Sequence, residues 1–174
     1  RRRVTEGPYS FKHFSGDAGR GQPSSPPVYK LWLKLTNLSP NQEIAPLDAV
    51  LLYKRVLNQH GDTVANTFLC RAADLADGPV VFTYPASPTS EWDMRGQQLG
   101  RPLRPGESLE TFIPSDTEGL AELDGELVWR FQMRKGFAPN GRGITTLIQV
   151  TFPRSRIVSE PPKPTAQSTT GPRR

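Results

Sequence analysis

Residues 29–55 read YKLWLKLTNLSPNQEIAPLDAVLLYKR, and this stretch decides the fold. Tyr29, Leu31, Leu33 and Leu35 alternate with Lys30, Trp32, Lys34 and Thr36, the period-two pattern of a half-buried strand. Asn37, Ser39, Pro40 and Asn41 interrupt it with turn chemistry. After a corner at Pro46–Leu47–Asp48, the residues Ala49, Leu51 and Tyr53 resume the alternation. The stretch therefore predicts two strands, over 28–36 and 48–57, joined by a polar turn region. A β-sandwich follows from it, but no activity does.

Outward from there, the rest of the chain repeats the theme. Tyr9, Phe11 and Phe14 suggest an edge strand within 4–14, before a Gly/Ser/Pro-rich linker over 15–27. Gln59–Asp62 is a turn, and residues 64–70 form a short strand. Arg71–Gly78 reads either as one helical turn or as loop. Residues 80–84 (VVFTY) form a strand stopped by Pro85. Pro105–Gly106 has the signature of a type II turn leading into a strand over 107–113. Ser115 and Glu118 have capping-box spacing and predict one short helix to about Leu123, burying Leu120 and Leu123. Leu127, Trp129, Phe131 and Met133 face inward from the next strand, with Val128, Arg130, Gln132 and Arg134 outward. A hairpin over 136–143 returns through Thr146, Ile148, Val150 and Phe152. The expectation is an all-β, antiparallel sandwich of seven to eight strands with one short helix.

Composition sets the limits. The chain has 174 residues, 35% of them apolar, and a mean hydropathy of −0.52, low for a chain folded throughout. Eight of the 18 prolines lie in residues 1–27 or 158–174. This divides the chain into an N-terminal linker (1–27), a sandwich domain (28–157) and a disordered, Pro-rich basic tail (158–174), because the tail has little to bury. The formal net charge is +5 and the isoelectric point about 9.7. The ends carry that whole excess, while residues 28–157 balance fourteen cations with fourteen acids. A neutral domain between basic ends is a poor footprint for nucleic acid. No run approaches the roughly 18 apolar residues of a membrane span, and no signal peptide is seen. Arg1–Arg3 has the character of a flank to a preceding transmembrane helix, or of a cloning boundary.

Chemistry is sparse. Cys70 is the one cysteine, and with His60 it makes a conceivable thiol dyad, although a lone cysteine ending a strand reads first as a small core residue. His13, His60 and Cys70 do not supply the roughly three or four close ligands of a zinc site. Asp116, Glu118, Glu122, Asp124 and Glu126 are acids enough for calcium, but a helix spreads them around an exposed face. Gly141–Arg142–Gly143 is either an anion-binding loop or a hairpin tip. Glu91 and Asp93 flank Trp92 in a long loop, an acid–aromatic–acid arrangement also found in sugar-cleaving sites. The candidate ligand-binding residues are therefore Trp32, Trp92, Glu91 and Asp93. No catalytic residue, metal or cofactor is assigned.

Several phrases carry a resemblance: LWLKLTNLSPNQEIAPLDAVLLYKR, SEWDMRGQQLGRPLRPGESLET, ELVWRFQMRKG and GRGITTLIQVTF. Together they resemble the immunoglobulin-like domains of exported or membrane-anchored bacterial proteins of the planctomycete type. Thr36–Asn37, Pro46–Leu47–Asp48 and Pro105–Gly106–Glu107 match the family's recurring points over residues 28–153. The resemblance implies an extracytoplasmic, non-enzymatic scaffold or interaction module of the cell envelope, often tethered by an N-terminal helix. Its partner would be a protein or an envelope polymer. A carbohydrate-binding sandwich using loop aromatics is the alternative, and a loop-borne carboxylate enzyme a third reading.

Overall fold

A computed structural model describes residues 3–9, 11–13, 24–47, 55–57, 63–65, 67–76, 78–83, 92–94 and 102–161. In chain order the strands are β1 (Arg3–Gly7), β2 (Phe11–His13), β3 (Val28–Thr36), β4 (Arg55–Leu57), β5 (Thr63–Ala65) and β6 (Phe68–Arg71). They continue as β7 (Val81–Phe82), β8 (Trp92–Met94), β9 (Ser108–Pro114), β10 (Glu126–Phe137), β11 (Gly143–Pro153) and β12 (Val158–Ser159). Two four-stranded sheets, ordered β12-β1-β3-β9 and β11-β10-β6-β7, form the body of the described chain. β2 pairs with β8 and β4 with β5 in two-stranded ribbons. All pairings are antiparallel except β1 with β12.

Alternation along the strands explains the core. Tyr29 and Leu31 of β3, Ile113 of β9, Leu69 of β6, Leu127, Trp129 and Phe131 of β10, and Val150 and Phe152 of β11 meet in one apolar cluster. Burying such a side chain contributes about 1.5–3 kcal/mol relative to leaving it in water. Leu33 and Leu35 pack against the same cluster from its margin. A smaller cluster lies on the other face of the second sheet, where Phe68, Cys70 and Val128 are covered by Ala72, Leu75 and Val80. Val128, expected to face outward, is buried because Ala72, Leu75 and Val80 pack against its cluster.

One further expectation changes. No α-helix is found among the described residues, only 3-10 turns at Ala72–Asp74, Leu120–Glu122 and Arg154–Arg156. The predicted cap at Ser115 is used otherwise. Its hydroxyl accepts the Tyr29 N–H at 3.1 Å and donates to Asp116 O at 2.8 Å, while Ser115 bridges to Thr83. Gly119, at φ 79°, then breaks any helical path, although Leu123 is buried as expected. Outside 28–157, β1 falls in the N-terminal segment expected to hold an edge strand and lies between β3 and β12, with Thr5 opposite Lys30 on one side and Val158 on the other. Finally, the second strand expected over 48–57 falls mostly outside the described residues, with β4 its described part.

The turn at Pro105–Gly106 is as the sequence predicts. Gly106 has φ 78°, and Glu107 N donates to Arg104 O at 2.9 Å, the closing bond of a type II turn.

Candidate functional site: a cleft where β3 and β10 end

The C-terminal ends of β3 and β10, the start of β11 and the loop at Leu103 enclose a cleft of about 650 Å³, in the size range of ligand sites. Residues 37–46 build its floor, and Asn37 fixes them. Asn37 is buried, and its amide donates to Gln42 O at 2.7 Å and Leu103 O at 2.8 Å. Its Oδ1 accepts the Ser39 N–H at 2.9 Å, closing an Asx turn. The main chain of Asn37 also pairs with Glu107 O and the Gly106 N–H.

Gln42 ties this turn to the facing strand. Its side-chain amide donates to Phe137 O and accepts the Phe137 N–H, both at 3.1 Å. Ile44 and Leu103 exchange backbone hydrogen bonds of 2.8 and 3.0 Å, and Arg134 N donates to Pro46 O. The β10 register slips between Arg134 and Gly136 at this point. A side chain at Gly136 would come within 3.1 Å of Gln42 Oε1, so the close approach favours glycine.

Because the turn is stitched from inside, its apex points out. Leu38 is 87% exposed although both its neighbours are engaged, and Ile144 is 46% exposed across the opening. Leu35, Ile44, Leu103, Met133 and Phe137 supply further apolar wall, while Lys34, Arg134 and Lys135 are the charged lining residues. Among the described residues no acid lines this cleft. An apolar cleft with a cationic rim suits an apolar ligand that carries negative charge.

Of the residues singled out from sequence, Trp32 does not line this cleft. Trp32 is half-buried on the outer face of β3. Its Nε1 donates to Thr5 Oγ1 at 2.8 Å, the Arg3 guanidinium lies 5.1 Å from its ring, and Phe112 packs at 4.9 Å with its ring tilted by 54°. That pair is no flat stacking platform. Trp92 and Asp93 belong to β8, which pairs with β2, but their side chains, and Glu91 and His60 altogether, lie outside the described residues.

Lys30, expected on a solvent face, is only 3% exposed. Its ammonium donates to Pro8 O at 3.1 Å and forms an ion pair with Glu160. Glu160 also accepts the Thr5 hydroxyl at 2.6 Å. Burial raises the Glu160 pKa, but the bonds from Lys30 and Thr5, with the charges of Lys30 and Arg3, outweigh it and hold the carboxyl below its ordinary value. This cluster is a structural closure of β3 by the chain's ends.

The remaining candidates offer less. Cys70 is fully buried, and its thiol pKa is pushed up by desolvation and by Asp74, against a lowering from Arg130. A raised thiol is a poor nucleophile. Among the described residues no group of three or more His, Cys, Asp or Glu side chains converges on a point. Of the proposed calcium ligands, Asp116 accepts the Thr117 N–H and Asp124 pairs with Arg71 at 3.4 Å, while Glu118, Glu122 and Glu126 are exposed. At the 141–143 tip the N–H groups of Gly141 and Arg142 bond within the turn, so they form no anion nest.

Sequence reasoning passed over Asn37, Leu38, Gln42 and Ile144. A signal was present at one of them: Leu38 is an apolar residue inside a run of turn formers. Among the described residues no helix is long and apolar enough to cross a membrane. No protein-family model, curated protein or solved structure matches the chain.

Proposed function

We propose that this chain is a non-enzymatic interaction module of immunoglobulin-like architecture whose recognition surface is the β3–β10 cleft. The observation that carries the reading is the display of Leu38, almost fully exposed on a turn held by buried hydrogen bonds. A rigid, exposed apolar anchor loses little entropy on binding, which is the usual profile of an interface hot spot. The cationic rim adds a preference for anionic partners. The resemblance to exported bacterial domains supports a position outside the cytoplasm, at the cell envelope, with a protein or envelope polymer as partner.

A small amphipathic anion tests the cleft. Anilinonaphthalene sulfonate, an aromatic body with one sulfonate, should bind the native protein with a fluorescence rise that Leu38→Ser and Ile144→Ser each reduce by at least about fivefold in affinity. Dye binding unaffected by either substitution would overturn the assignment of the cleft. The location is tested by fractionating the native host and shaving intact cells with protease. Protection of the protein inside intact cells would overturn the envelope reading.

A further inference from the structure

β11 is an edge strand. It pairs with β10 on one side, and among the described residues nothing pairs with its other side. Its eleven residues, GITTLIQVTFP, contain no charge and no proline before the last position. Ile144 and Leu147 are 46% and 50% exposed, and Thr145, Gln149 and Thr151 are exposed as well. Other edges are blunted in the usual ways: β12 has two residues and runs into Glu160 and Pro161, and β9 carries Glu110 and ends at Pro114. At about 3.4 Å per residue β11 presents an open ladder roughly 35 Å long.

Along the sequence the charges of β10, β11 and their flanks are nearly all cationic, although Asp124 and Glu6 act on Arg154. Arg142 precedes it and Arg154 and Arg156 follow it, while Arg130, Arg134 and Lys135 stand on β10. From Glu126 to Arg156 the one acid is Glu126 itself, opposite Pro153. We propose that β11 takes up an added strand from an acidic protein segment: an extended, β-branched stretch with carboxylates at its ends, hydrogen-bonded to the free edge. The same charges disfavour two other occupants. A second copy paired antiparallel sets Arg142 against Arg154 and Arg156, and paired parallel it sets each arginine against itself. The chain's own tail brings Lys163, Arg173 and Arg174 with Pro162, Pro164 and Pro172, like charge and missing donors. The proposal goes beyond the cleft and stands on the edge alone.

The test uses the full chain and a fluorescein-labelled peptide of about ten residues, with alternating Thr and Val between paired acids. Its twins carry lysines at the ends or proline at the centre. The acidic peptide should bind, the lysine-ended twin at least about tenfold more weakly, and the proline twin no better than the lysine one. Hydrogen exchange should slow along 143–153. Leu147→Glu and Thr145→Glu, both at exposed positions, should each weaken binding about tenfold. Arg142→Glu with Arg156→Glu should shift preference toward the lysine-ended peptide, a gain that misfolding does not produce. Leu38→Ser should leave peptide affinity within about twofold, separating this result from that of the cleft. Any of several results would overturn the proposal: equal binding of acidic and proline peptides, no binding, tighter binding of oligothymidine, or a dimer in sedimentation that Leu147→Glu abolishes.

Discussion

Lys30 and Lys34 stand four residues apart on the same face of β3, and the chain treats them in opposite ways. Lys30 is buried, its ammonium held by Pro8 O just after β1 and by Glu160 just after β12. Lys34 is exposed and lines the cleft. Residue type and strand position are the same, so the difference comes from what the chain lays over each. Remote segments close one end of the strand face. At the other end a short turn is held open by its hydrogen bonds to Leu103 and Phe137. A cation under cover costs stability unless matched by a partner; a cation at an open rim remains available to a ligand. The lesson is that function on such a sheet follows coverage more closely than it follows the strand pattern.

Substitutions that break this contrast should have graded effects. The largest is expected from Asn37→Ala. It removes three side-chain hydrogen bonds that define the open end, one buried and two partly buried, and should cost about 3 kcal/mol in urea unfolding. A loss below about 1 kcal/mol would mean that the turn is held by something else.

At the closed end, Glu160→Ala strands the Lys30 ammonium and should cost about 2 kcal/mol, discounted because Glu160 is partly solvated. Lys30→Met should cost less, since Glu160 then keeps its access to water. Equal costs would contradict the description of Lys30 as the more deeply buried partner.

The same pair sharpens the contrast through pH. Glu160 has a folded pKa below its ordinary value, so its contribution is complete above the unfolded carboxylate pKa and is lost as pH falls through the folded one. Between about pH 5 and pH 3 the parent protein should lose stability more steeply than Glu160→Gln. Parallel curves in thermal melts would sink this account of the closure.

The smallest effect on stability is expected at the open end's apex. Leu38→Ser should shift unfolding by no more than about 0.5 kcal/mol, the usual range for exposed positions, while it weakens dye binding. A residue that matters for binding and not for folding is what the open cleft implies.

Much of the fold was legible because side chains alternate along the longer strands. Tyr29 and Leu31, the inward residues of β10, and Val150 and Phe152 all face the core as their spacing suggests, and Pro105–Gly106 makes the turn its residues require. Strands of two or three residues such as β8 and β12 carry too little pattern to be counted. Ser115 shows a second limit: a hydroxyl suited to capping a helix serves equally well to accept the Tyr29 N–H across 86 positions of sequence, and local spacing does not distinguish the two. The site was the least legible part. Trp32 drew attention as an aromatic on an outer face, but Thr5, Arg3 and Phe112 occupy it. The cleft arises from Asn37 and Gln42 bonding to residues 66 and 95 positions away, pairings that no period reveals.

The most direct test is a methyl-resolved NMR titration of the native protein with anilinonaphthalene sulfonate. The account predicts shifts concentrated at Leu35, Leu38, Ile44, Met133 and Ile144, with Val28 and Val4 beside the covered end unmoved. Shifts centred on Val4 and Val28, with the five cleft residues silent, would contradict it.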